Sequence, residues 1–440
     1  MAPQSTASCP ALFFCAPASG QGKTTITAGI ARYHRNQGRD VRVFKTGPDF
    51  LDPLILEQAS GHPVAQLDLW MTGEAECQRQ LYQAALEADL ILIEGVMGMF
   101  DGDPSGADMA QYFGIPVGII INAGSMAQTF AAIANGLVSH RPDLAIAGVI
   151  ANKIGGVRHE RLIRDAMEGF SPLLGCVRRT PEMALPERHL GLVQPQEIGD
   201  IDARLDRIAE VIESAGLTAL PEPVEFSDAS LPYTDRLLAG VTVALARDDA
   251  FSFIYAANTR LLEDMGATVL CFSPLKDESV PEADVLWLPG GYPELHMHTL
   301  TANTNTARSV RAFHDAGKAI LAECGGMLYL MESLTAADGD KQDMLGILPG
   351  HGVMRERGGC QGMQYAPLPE GELRGHAHHR TRCEHTLEPI AYGRRAKHPA
   401  PGEAIYRQGN TTASYLHLYF PSNPAAVAEL FRRQVAKEAA

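Results

Sequence analysis

The sequence predicts an α/β protein made of two doubly wound domains, each with a parallel sheet between layers of helices. The chain has 440 residues, which is too long for one ordinary core and fits two domains of about 200 residues each. Short apolar strands alternate with helical patterns in both halves, as in βαβ units. A segment rich in proline and acidic residues, 220–228, separates the halves. We therefore predict domains at 1–218 and 239–440, joined by a linker at 219–238.

The composition is that of a globular enzyme. Hydrophobic residues make up 45% and charged residues 20% of the chain, as in folded domains. The formal net charge of −15 disfavours nucleic-acid binding, although a local cluster of Lys and Arg can still attract an anionic substrate. The sequence has no run of 18 apolar residues and begins without a signal-peptide pattern. The eight scattered cysteines contain no Cys-x-x-Cys pair, so we expect reduced thiols. We predict a cytoplasmic protein whose partners are small molecules and which binds neither nucleic acid nor membrane. A homodimer is compatible with this prediction.

The first strand and the loop after it predict nucleotide binding. The short apolar run that begins at Phe13 and Phe14 reads as a buried strand that turns directly into a helix. Gly20 and Gly22 let backbone N–H groups surround a phosphate, and Lys23 neutralises the β- and γ-phosphates. The Thr24 hydroxyl is placed to bind Mg²⁺. The predicted nucleotide-binding loop is Ser19-Gly20-Gln21-Gly22-Lys23-Thr24-Thr25, with Pro17 where the first glycine usually stands.

Acidic residues after the next strands predict the rest of this site. The strand 41–46 ends in a loop that carries Asp49 and Asp52. Because ligands bind outside the carboxyl ends of parallel strands, these acids are candidates for Mg²⁺ or substrate binding, with turn chemistry as the alternative. The following strand delivers Glu94 to the same edge, where an acid typically completes the Mg²⁺ shell. Asp101 lies in the next Gly-rich loop, where it is a candidate contact to the phosphates or to the substrate, with a turn residue as the alternative. We predict the metal ligands Thr24, Asp49 and Glu94 and the catalytic residues Lys23, Asp49 and Asp101.

The remaining part of the first half has two further candidates. Asn152 ends a strand and can read the adenine edge or cap the strand. The loop 185–193 carries Glu187, Arg188 and His189, which suit a polar or anionic group or a solvated surface. The other elements predicted in this half are strands 116–122, 144–153 and 174–179 and helices 126–138 and 201–215.

The second half predicts a cysteine nucleophile between a strand and a helix. Cys324 takes the serine position of a nucleophile elbow, after the strand 319–322. The helix N-terminus favours its thiolate. The N–H of Gly325 can form an oxyanion hole with an N–H of Gly290 or Gly291. The other elements predicted here are strands 241–246, 268–272 and 285–288 and helices 254–265 and 307–316.

A histidine near the C-terminus is the predicted base. His417 interrupts the strand-like run 413–420. A lone histidine among apolar residues is usually a core residue, but the elbow makes it the natural partner of Cys324. The His-rich segment 374–385 matches no familiar Zn²⁺ spacing. We expect it to contact an anion or the substrate, with a metal site as the alternative.

These motifs together resemble the cobyrinic acid a,c-diamide synthase family of corrin biosynthesis over nearly the whole chain. Their order along the chain makes a chance match negligible. The motifs are Ser19-Gly20-Gln21-Gly22-Lys23-Thr24-Thr25, Lys45-Thr46-Gly47-Pro48-Asp49, Glu94-Gly95-Val96-Met97-Gly98, Leu185-Pro186-Glu187-Arg188-His189-Leu190-Gly191-Leu192, Pro289-Gly290-Gly291-Tyr292-Pro293-Glu294-Leu295, Glu323-Cys324-Gly325-Gly326 and Ser414-Tyr415-Leu416-His417.

The resemblance implies a dethiobiotin-synthetase-like ATP domain followed by a class I glutamine amidotransferase domain. The implied reaction is the ATP- and glutamine-dependent amidation of the a and c acetate side chains of cobyrinic or hydrogenobyrinic acid, with Mg²⁺ as cofactor. The sequence departs from the family pattern where Ala377 and His378 replace Glu-Phe in a Gly-His-Glu-Phe-His segment. Tyr419 stands where many class I amidotransferases have Glu, which implies a Cys–His dyad.

Three other functions compete with this interpretation. Cobyric acid synthase amidates other side chains of the same ring, but the intact Gly-Lys-Thr-Thr loop and the short chain argue against it. Nickel sirohydrochlorin is an alternative ring substrate. A partitioning ATPase or nucleotide switch usually carries an extra Lys where this chain has Ala18, and it lacks a Cys–His domain.

Overall fold

The structure is a computed structural model that describes residues 5–188, 191–192, 194–229, 235–355 and 361–432. The chain divides into two compact units, Met1–Leu231 and Pro232–Ala440. Each unit has its own central sheet with helices, which confirms the predicted α/β class. Among the described residues, no helix has the length and apolar character that a membrane crossing requires.

Unit 1 alternates strands and helices through most of its length. Its described α-helices are α1 (Lys23–Asn36), α2 (Leu51–Ser60), α3 (Glu74–Glu87), α4 (Gly106–Tyr112), α5 (Thr129–His140), α6 (Val157–Met167) and α7 (Ile201–Ser214). Its described strands are β1 (Thr6–Cys15), β2 (Val41–Thr46), β3 (Ala65–Leu67), β4 (Leu90–Glu94), β5 (Val117–Asn122), β6 (Ile146–Ile154), β7 (Leu173–Arg178), β8 (Glu187–Arg188), β9 (Gly191–Leu192) and β10 (Pro223–Ser227).

The main sheet of unit 1 is parallel and runs in the order β3-β2-β4-β1-β5-β6-β7. Apolar cores cover both of its faces. Phe13 packs into one core and its neighbour Phe14 into the other, because successive side chains of a strand point to opposite faces. A strand buried on both faces needs a continuous apolar run, as β1 and β4 have. The carboxyl ends of β1, β2, β4 and β6 therefore meet at one edge.

The predicted linker, 219–238, contains regular structure. Its residues Pro223–Ser227 form β10, which pairs antiparallel with the amino-terminal part of β1. A proline is compatible with the first residue of a strand, so the proline content of this segment does not prevent pairing. Within the predicted loop 185–193, Glu187 and Arg188 form β8, and His189 lies outside the described residues.

Unit 2 combines a parallel sheet with a long antiparallel extension. Its described α-helices are α8 (Ala256–Asp264), α9 (Met297–Ala302), α10 (Thr304–Asp315), α11 (Gly325–Leu330) and α12 (Pro424–Arg432). Its described strands are β11 (Thr242–Ala246), β12 (Thr268–Phe272), β13 (Val285–Leu288), β14 (Ala319–Glu323), β15 (Ser333–Thr335), β16 (Lys341–Asp343), β17 (His351–Met354), β18 (Gln361–Leu368), β19 (Gly371–His378), β20 (Thr381–Glu384), β21 (Ala391–Arg395), β22 (Pro401–Gln408), β23 (Thr411–Ser414) and β24 (His417–Tyr419).

The large sheet of unit 2 runs in the order β12-β11-β13-β14-β23-β22-β21-β18-β19-β24. The strands from β12 to β23 are parallel, and the pairs beyond β23 are antiparallel. The run 413–420, predicted as one strand, is two strands. β23 pairs with β14 and β22, whereas β24 pairs with β19. The chain changes partners at Tyr415–Leu416, so His417 lies on a separate strand.

Candidate active sites

The loop after β1 has the turned backbone that a phosphate site requires. Gly20 and Gly22 have φ angles of +75° and +91°, in the left-handed region that glycine adopts at little cost. A Cβ on Gly22 would lie 2.3 Å from the side-chain nitrogen of Asn152. α1 begins at Lys23, and the first N–H groups of a helix lack intrahelical partners. This helix end is therefore suited to an anion.

Lys23 connects this loop to the segment after β4. Its Nζ donates to the carbonyl of Met97 at 2.8 Å and to that of Ala18 at 3.4 Å. Burial, together with the positive charge of Lys45, lowers the pKa of Lys23. Met97 has a φ of +53°, which is unusual for a residue with a side chain and marks a strained turn.

A second lysine and three oxygen-bearing side chains meet beside the loop. Lys45 at the end of β2 donates to Asp52 Oδ2 and to Glu94 Oε1, both at 2.7 Å. The Thr24 hydroxyl donates to the same Glu94 oxygen at 2.8 Å. Burial raises the pKa of Glu94 to about 7. Burial alone would lower the pKa of Lys45, but the charges of Asp52 and Glu94 outweigh it and raise that pKa.

The Mg²⁺ that the family implies fits the chemistry of these side chains. The second carboxyl oxygen of Glu94, Oε2, is buried and has no hydrogen-bond partner among the described residues. An unpartnered buried carboxyl oxygen is costly and is a ligand that a hard cation prefers. Thr24 and Asp52 supply further oxygens close to it. Asp52 therefore lies in this group beside Glu94 and Thr24, and the predicted metal ligands Thr24, Asp49 and Glu94 stay predictions.

Asp49 and Asp101 each accept a hydrogen bond from a backbone N–H near the same edge of the sheet. Asp49 Oδ1 accepts the backbone N–H of Leu51 at 2.9 Å in the first turn of α2. Burial and the neighbouring Asp52 raise the pKa of Asp49 to about 6. Asp101 accepts the N–H of Gly98 at 3.2 Å and is exposed. Their predicted catalytic roles stay predictions.

Asn152 and Thr25 complete the predicted nucleotide-binding set. The Asn152 amide donates to the carbonyl of Gln21 at 2.8 Å, and its oxygen accepts the N–H of Lys153 at 2.8 Å. These bonds are those of a strand-end cap, which was the alternative to an adenine contact. The bond to Gln21 also holds the backbone of the P-loop. Thr25 lies in the first turn of α1. Direct contact of either side chain with a nucleotide stays a prediction.

The nucleophile elbow predicted in unit 2 is present. Cys324 links β14 to α11 with a φ of +45°, a strained backbone typical of functional turns. Its N–H donates to the carbonyl of Ser414 at 2.7 Å. A Cβ on Gly325 would lie 3.0 Å from the backbone nitrogen of Gly291. The loop after β13 therefore approaches the elbow closely, as an oxyanion hole made from both segments requires.

His417 lies against the nucleophile. A Cβ added to Gly290 would meet His417 Cε1 at 2.2 Å and the Cys324 Cβ at 3.3 Å. Gly290 thus touches both predicted partners, and its lack of a side chain makes room for the imidazole. The Phe253 ring packs beside it, with the ring centroids 5.9 Å apart. The structure brings Cys324 and His417 together at the place that the sequence predicts.

Burial favours the uncharged forms of both Cys324 and His417. Burial, with a smaller effect of Glu294, raises the pKa of Cys324 well above its ordinary value. Burial, with the nearby His376, lowers the pKa of His417 well below its ordinary value. The Gly325 N–H acts in the opposite direction to burial on the pKa of Cys324, and the predicted preference of the helix N-terminus for the thiolate stays a prediction. The uncharged imidazole can act as a general base during attack.

Residues of the His-rich segment lie near His417. His376 pairs with His417 across β19 and β24. His379 stacks on Tyr415 with the ring centroids 3.7 Å apart, and its Nε2 lies 3.1 Å from Glu403 Oε1. Among the described residues, no three His, Cys, Asp or Glu side chains are arranged to hold a metal ion. Substrate contact by this segment stays a prediction.

Sequence reasoning assigned no role to two buried residues of these sites. Lys45 forms ion pairs with Asp52 and Glu94 beside the P-loop. Glu323 lies directly below the elbow and bonds to Trp287 and Leu418. A charged residue at or near the end of an apolar strand was the available signal for both, since Lys and Glu are rarely buried without a partner.

Two family models match the chain in succession. Residues 12–193 match the CobQ/CobB/MinD/ParA nucleotide binding domain. Residues 242–425 match the CobB/CobQ-like glutamine amidotransferase domain. The first match contains the P-loop, Lys45 and Glu94, and the second contains Cys324 and His417. Each of the two sites therefore lies in a domain of matching type.

Full-length relatives join the two domains. The chain is 53% identical to the hydrogenobyrinate a,c-diamide synthase of Stutzerimonas stutzeri (strain A1501), over 96% of this chain and 99% of the relative. It is 52% identical to the enzyme of that name from Pseudomonas aeruginosa, over 96% and 98%. It is 47% identical to the cobyrinate a,c-diamide synthase of Herminiimonas arsenicoxydans, over 95% of each chain. These matches confirm the resemblance that the motifs indicate, and the chain belongs to the family of cobyrinate and hydrogenobyrinate a,c-diamide synthases.

Proposed function

We propose that the protein is a ligase that uses ATP and glutamine to amidate the a and c acetate carboxylates of hydrogenobyrinate or cobyrinate. The observation that carries this proposal is the 53% identity to a hydrogenobyrinate a,c-diamide synthase over 96% of the chain, which includes both units. Hydrogenobyrinate is the first choice because the relatives at 53% and 52% identity are named for it. Cobyrinate is the second, through the relative at 47%.

Unit 1 activates the acetate carboxylate. A carboxylate is a poor acyl donor, so its oxygen attacks the γ-phosphorus of ATP, ADP leaves, and an acyl phosphate forms. The P-loop N–H groups and Lys23 stabilise the charge that spreads over the transferred phosphoryl group. Lys45 holds Asp52 and Glu94 in place through its two ion pairs. Ammonia then attacks the acyl carbon, inorganic phosphate leaves, and an amide remains.

The side chains that would hold Mg²⁺ are Thr24, Asp52 and Glu94. The buried, unpartnered Oε2 of Glu94 supports this choice. When bound, the ion neutralises phosphate charge on the nucleotide. Asp49 and Asp101 are proposed as substrate-side residues, because both lie in loops at the same edge of the sheet.

Unit 2 supplies the ammonia. The Cys324 sulfur attacks the side-chain amide carbon of glutamine while His417 takes the thiol proton. N–H groups of Gly325 and of Gly290 or Gly291 bind the oxyanion. The imidazolium gives its proton to the departing nitrogen, so ammonia leaves and a glutamyl thioester remains. Water then hydrolyses the thioester to glutamate and restores the thiol.

Product analysis of the purified protein tests this function. The protein is incubated with ATP, Mg²⁺, glutamine and either hydrogenobyrinate or cobyrinate, and the products are weighed by mass spectrometry. We expect a diamide, with two hydroxyl groups replaced by amino groups. Sirohydrochlorin loaded with nickel is the matched alternative ring. A diamide from the nickel ring alone would reject the corrin assignment.

Replacing the nucleophile tests the division of work between the units. Cys324→Ser should abolish amidation with glutamine, because a serine hydroxyl is a far weaker nucleophile than a cysteine thiol. Ammonium salt near pH 8 should restore diamide formation with ATP consumed as before. His417→Ala should show the same rescue, and the double variant should be little worse than either single variant. Glutamine-driven activity in both single variants would reject the Cys–His assignment.

Three finer features belong to the same proposal. The synthetase domain covers 1–218 and the amidotransferase domain covers 239–440. The protein works in the cytoplasm, since its substrates are soluble metabolites of biosynthesis. A homodimer is the proposed assembly, and sedimentation equilibrium measures it directly.

A further inference from the structure

Glu323 is buried directly beneath the nucleophile elbow. It immediately precedes Cys324, and only 3% of its surface is exposed. Its Oε2 accepts the indole N–H of Trp287 at 2.8 Å. Its Oε1 accepts the backbone N–H of Leu418 at 2.7 Å. Because Leu418 directly follows His417, one side chain connects the backbone beside the nucleophile to the backbone beside the base.

This connection crosses a break in the sheet. Cys324 follows β14, which pairs with β23 as far as Ser414. His417 begins β24, which pairs with β19 at the opposite end of the sheet order. In the described sheet, β14 and β24 are therefore not neighbours, and no ladder between them sets the position of His417. The bond from Leu418 to Glu323 supplies a direct link.

Leu418 is also held from its other side. The Asn258 side chain donates to the carbonyl of Leu418 at 2.7 Å and accepts the N–H of Phe420 at 2.8 Å. Both polar groups of Leu418 are thus bound by buried side chains. Because the N–H belongs to the peptide group before Leu418 and the carbonyl to the one after it, both peptide groups are fixed, and with them the direction in which the preceding imidazole points.

A carboxyl group is a costly way to fill this position. Burial raises the pKa of Glu323 to about 8, against the effect of its two N–H donors. Neighbouring residues of β14 are apolar and pack without such a cost. Both oxygens of Glu323 accept hydrogen bonds, which offsets part of the cost. The geometry thus gives this side chain a task other than packing.

We propose that Glu323 is a positioning residue for glutamine hydrolysis, holding the peptide after His417 so that the imidazole faces the Cys324 thiol. The inference rests on the glutaminase activity proposed for unit 2. Without this contact, β24 is less well fixed relative to the elbow, and proton transfer from the thiol to His417 slows. Carboxylate activation in unit 1 is not affected.

Alkylation of Cys324 by iodoacetamide tests this role without any corrin substrate. The sulfur–carbon bond forms, iodide leaves, and His417 takes the thiol proton, so the rate near neutral pH reports the pairing of the two side chains. The rate is measured against pH by peptide mass spectrometry for wild type, Glu323→Met, His417→Ala and the double variant. Exposed Cys271 is the internal reference for an ordinary thiol.

Glu323→Met keeps the length of the side chain but has no oxygen to accept the Leu418 N–H. We expect it to move the alkylation profile of Cys324 toward alkaline pH, as His417→Ala does. The double variant should match the single variants. The other groups that act on the dyad stay constant in the series: Glu294 and Glu403 act on Cys324, and His376, His378 and His379 act on His417. Amidation with glutamine should fall about 100-fold, the usual cost of a misplaced catalytic group, while amidation with ammonium should match wild type.

Trp287→Phe is the matched control. It removes the donor to Oε2 and leaves the bond to Leu418, so its alkylation profile should equal that of wild type. Glu323→Asp keeps the carboxyl group but shortens the side chain, which withdraws it from the Leu418 N–H, and it replaces the Met variant if that variant does not fold. A wild-type profile in folded Glu323→Met or Glu323→Asp, an equal shift in Trp287→Phe, or multiplied losses in the double variant would each overturn the proposal. An inactive wild type with an intact alkylation pattern would reject the proposed ring chemistry instead.

Discussion

Lys23 joins the P-loop to the turn after β4 through its bond to the carbonyl of Met97, 2.8 Å away. Its ammonium group is the charge that phosphoryl transfer uses in a P-loop. We predict that Lys23→Ala lowers amidation by about 100-fold or more, as loss of one stabilising donor commonly does. The loss should be equal with glutamine and with ammonium, measured by diamide formation. Lys341→Ala, at an exposed site in unit 2, is the control. Full activity with ammonium would contradict the P-loop assignment.

Glu94 is the buried acid with an unpartnered oxygen. Glu94→Gln replaces a carboxylate with an amide, which is a weaker ligand for a hard cation. We predict that the Mg²⁺ concentration for half-maximal activity rises about 10- to 100-fold. Asp52→Asn should act in the same direction, and Asp49→Asn less so, because Asp49 binds the start of α2.

The measurement for this series is a Mg²⁺ titration of ammonium-driven amidation, with a thermal melt of each variant. Glu213→Gln, at an exposed position of α7, is the matched control. An unchanged titration in Glu94→Gln would remove this residue from the metal site. A larger effect in Asp49→Asn than in Asp52→Asn would favour the ligand set that the sequence predicts.

Residues in contiguous motifs could be predicted, and residues that depend on neighbours from distant strands could not. Gly22 and Lys23 could be predicted because consecutive residues of one loop bind the phosphate. Lys45 gains its role only from Asp52 and Glu94, which come from other parts of the chain. The spacing of residues within one segment does not indicate contacts of this kind between different segments.

At the scale of elements, the loop after β13 sets the space for the base. A Cβ on Gly290 would lie 2.2 Å from His417 Cε1, which no unstrained contact allows. We predict that Gly290→Ala lowers glutamine-driven amidation by about 100-fold, because a displacement of about 1 Å at a catalytic group has such a cost. Ammonium-driven amidation should persist. Both are measured as diamide formed.

Gly136→Ala is the control for this change. Gly136 lies in α5, where an added Cβ meets no atom within 4 Å, and alanine favours the helix. Wild-type glutaminase activity in Gly290→Ala would show that His417 can move aside without loss, and that this close approach is not needed.

The parallel strands were easier to predict than the antiparallel ones. β13 and β14 are continuous apolar runs because helices cover both of their faces. β18 and β19 contain Gln, Arg, Gly and His, and they were not predicted as strands. These strands form because they pair with each other and with β24. A pattern within one short segment therefore could not predict them.

The molecule as a whole carries one tryptophan in each unit, Trp70 and Trp287. In Trp70→Phe, the fluorescence of Trp287 therefore reports the unfolding of unit 2 alone. This variant allows the acid sensitivity of unit 2 to be measured in the full chain.

Unit 2 should lose stability as the pH falls below about 6.5. Burial lowers the pKa of His376 from 6.5 to about 3, so the unfolded chain binds a proton in this interval and the folded chain does not. Each pH unit then costs up to about 1.4 kcal/mol for such a histidine. We predict that His376→Gln, made in Trp70→Phe, loses less stability between pH 6.5 and pH 4 than its parent.

Urea titrations at several pH values measure this difference. The matched control is His398→Gln, which changes an exposed histidine of the same unit and should leave the slope unchanged. Equal slopes for His376→Gln and its parent would mean that His376 can be protonated in the folded protein. Such a result would also change the charges assumed around His417.

Domain organisation was predictable from composition only in outline. The two halves follow from length and alternation, but the end of the first unit does not. β10 begins with Pro223 and carries a glutamate, a composition typical of a linker. It is ordered because β1 extends beyond the parallel sheet and offers it a partner.

The pairing of β1 with β10 also determines when the fold of unit 1 can be completed during synthesis. Thr6 lies opposite Ser227 and Pro10 opposite Pro223, so β1 meets this partner only after the chain as far as Ser227 has been made. Until then, part of β1 is an open strand edge, the kind of surface that attracts other chains. The sheet of unit 1 is therefore protected along this strand only when residues 223–227 have left the ribosome and paired with β1.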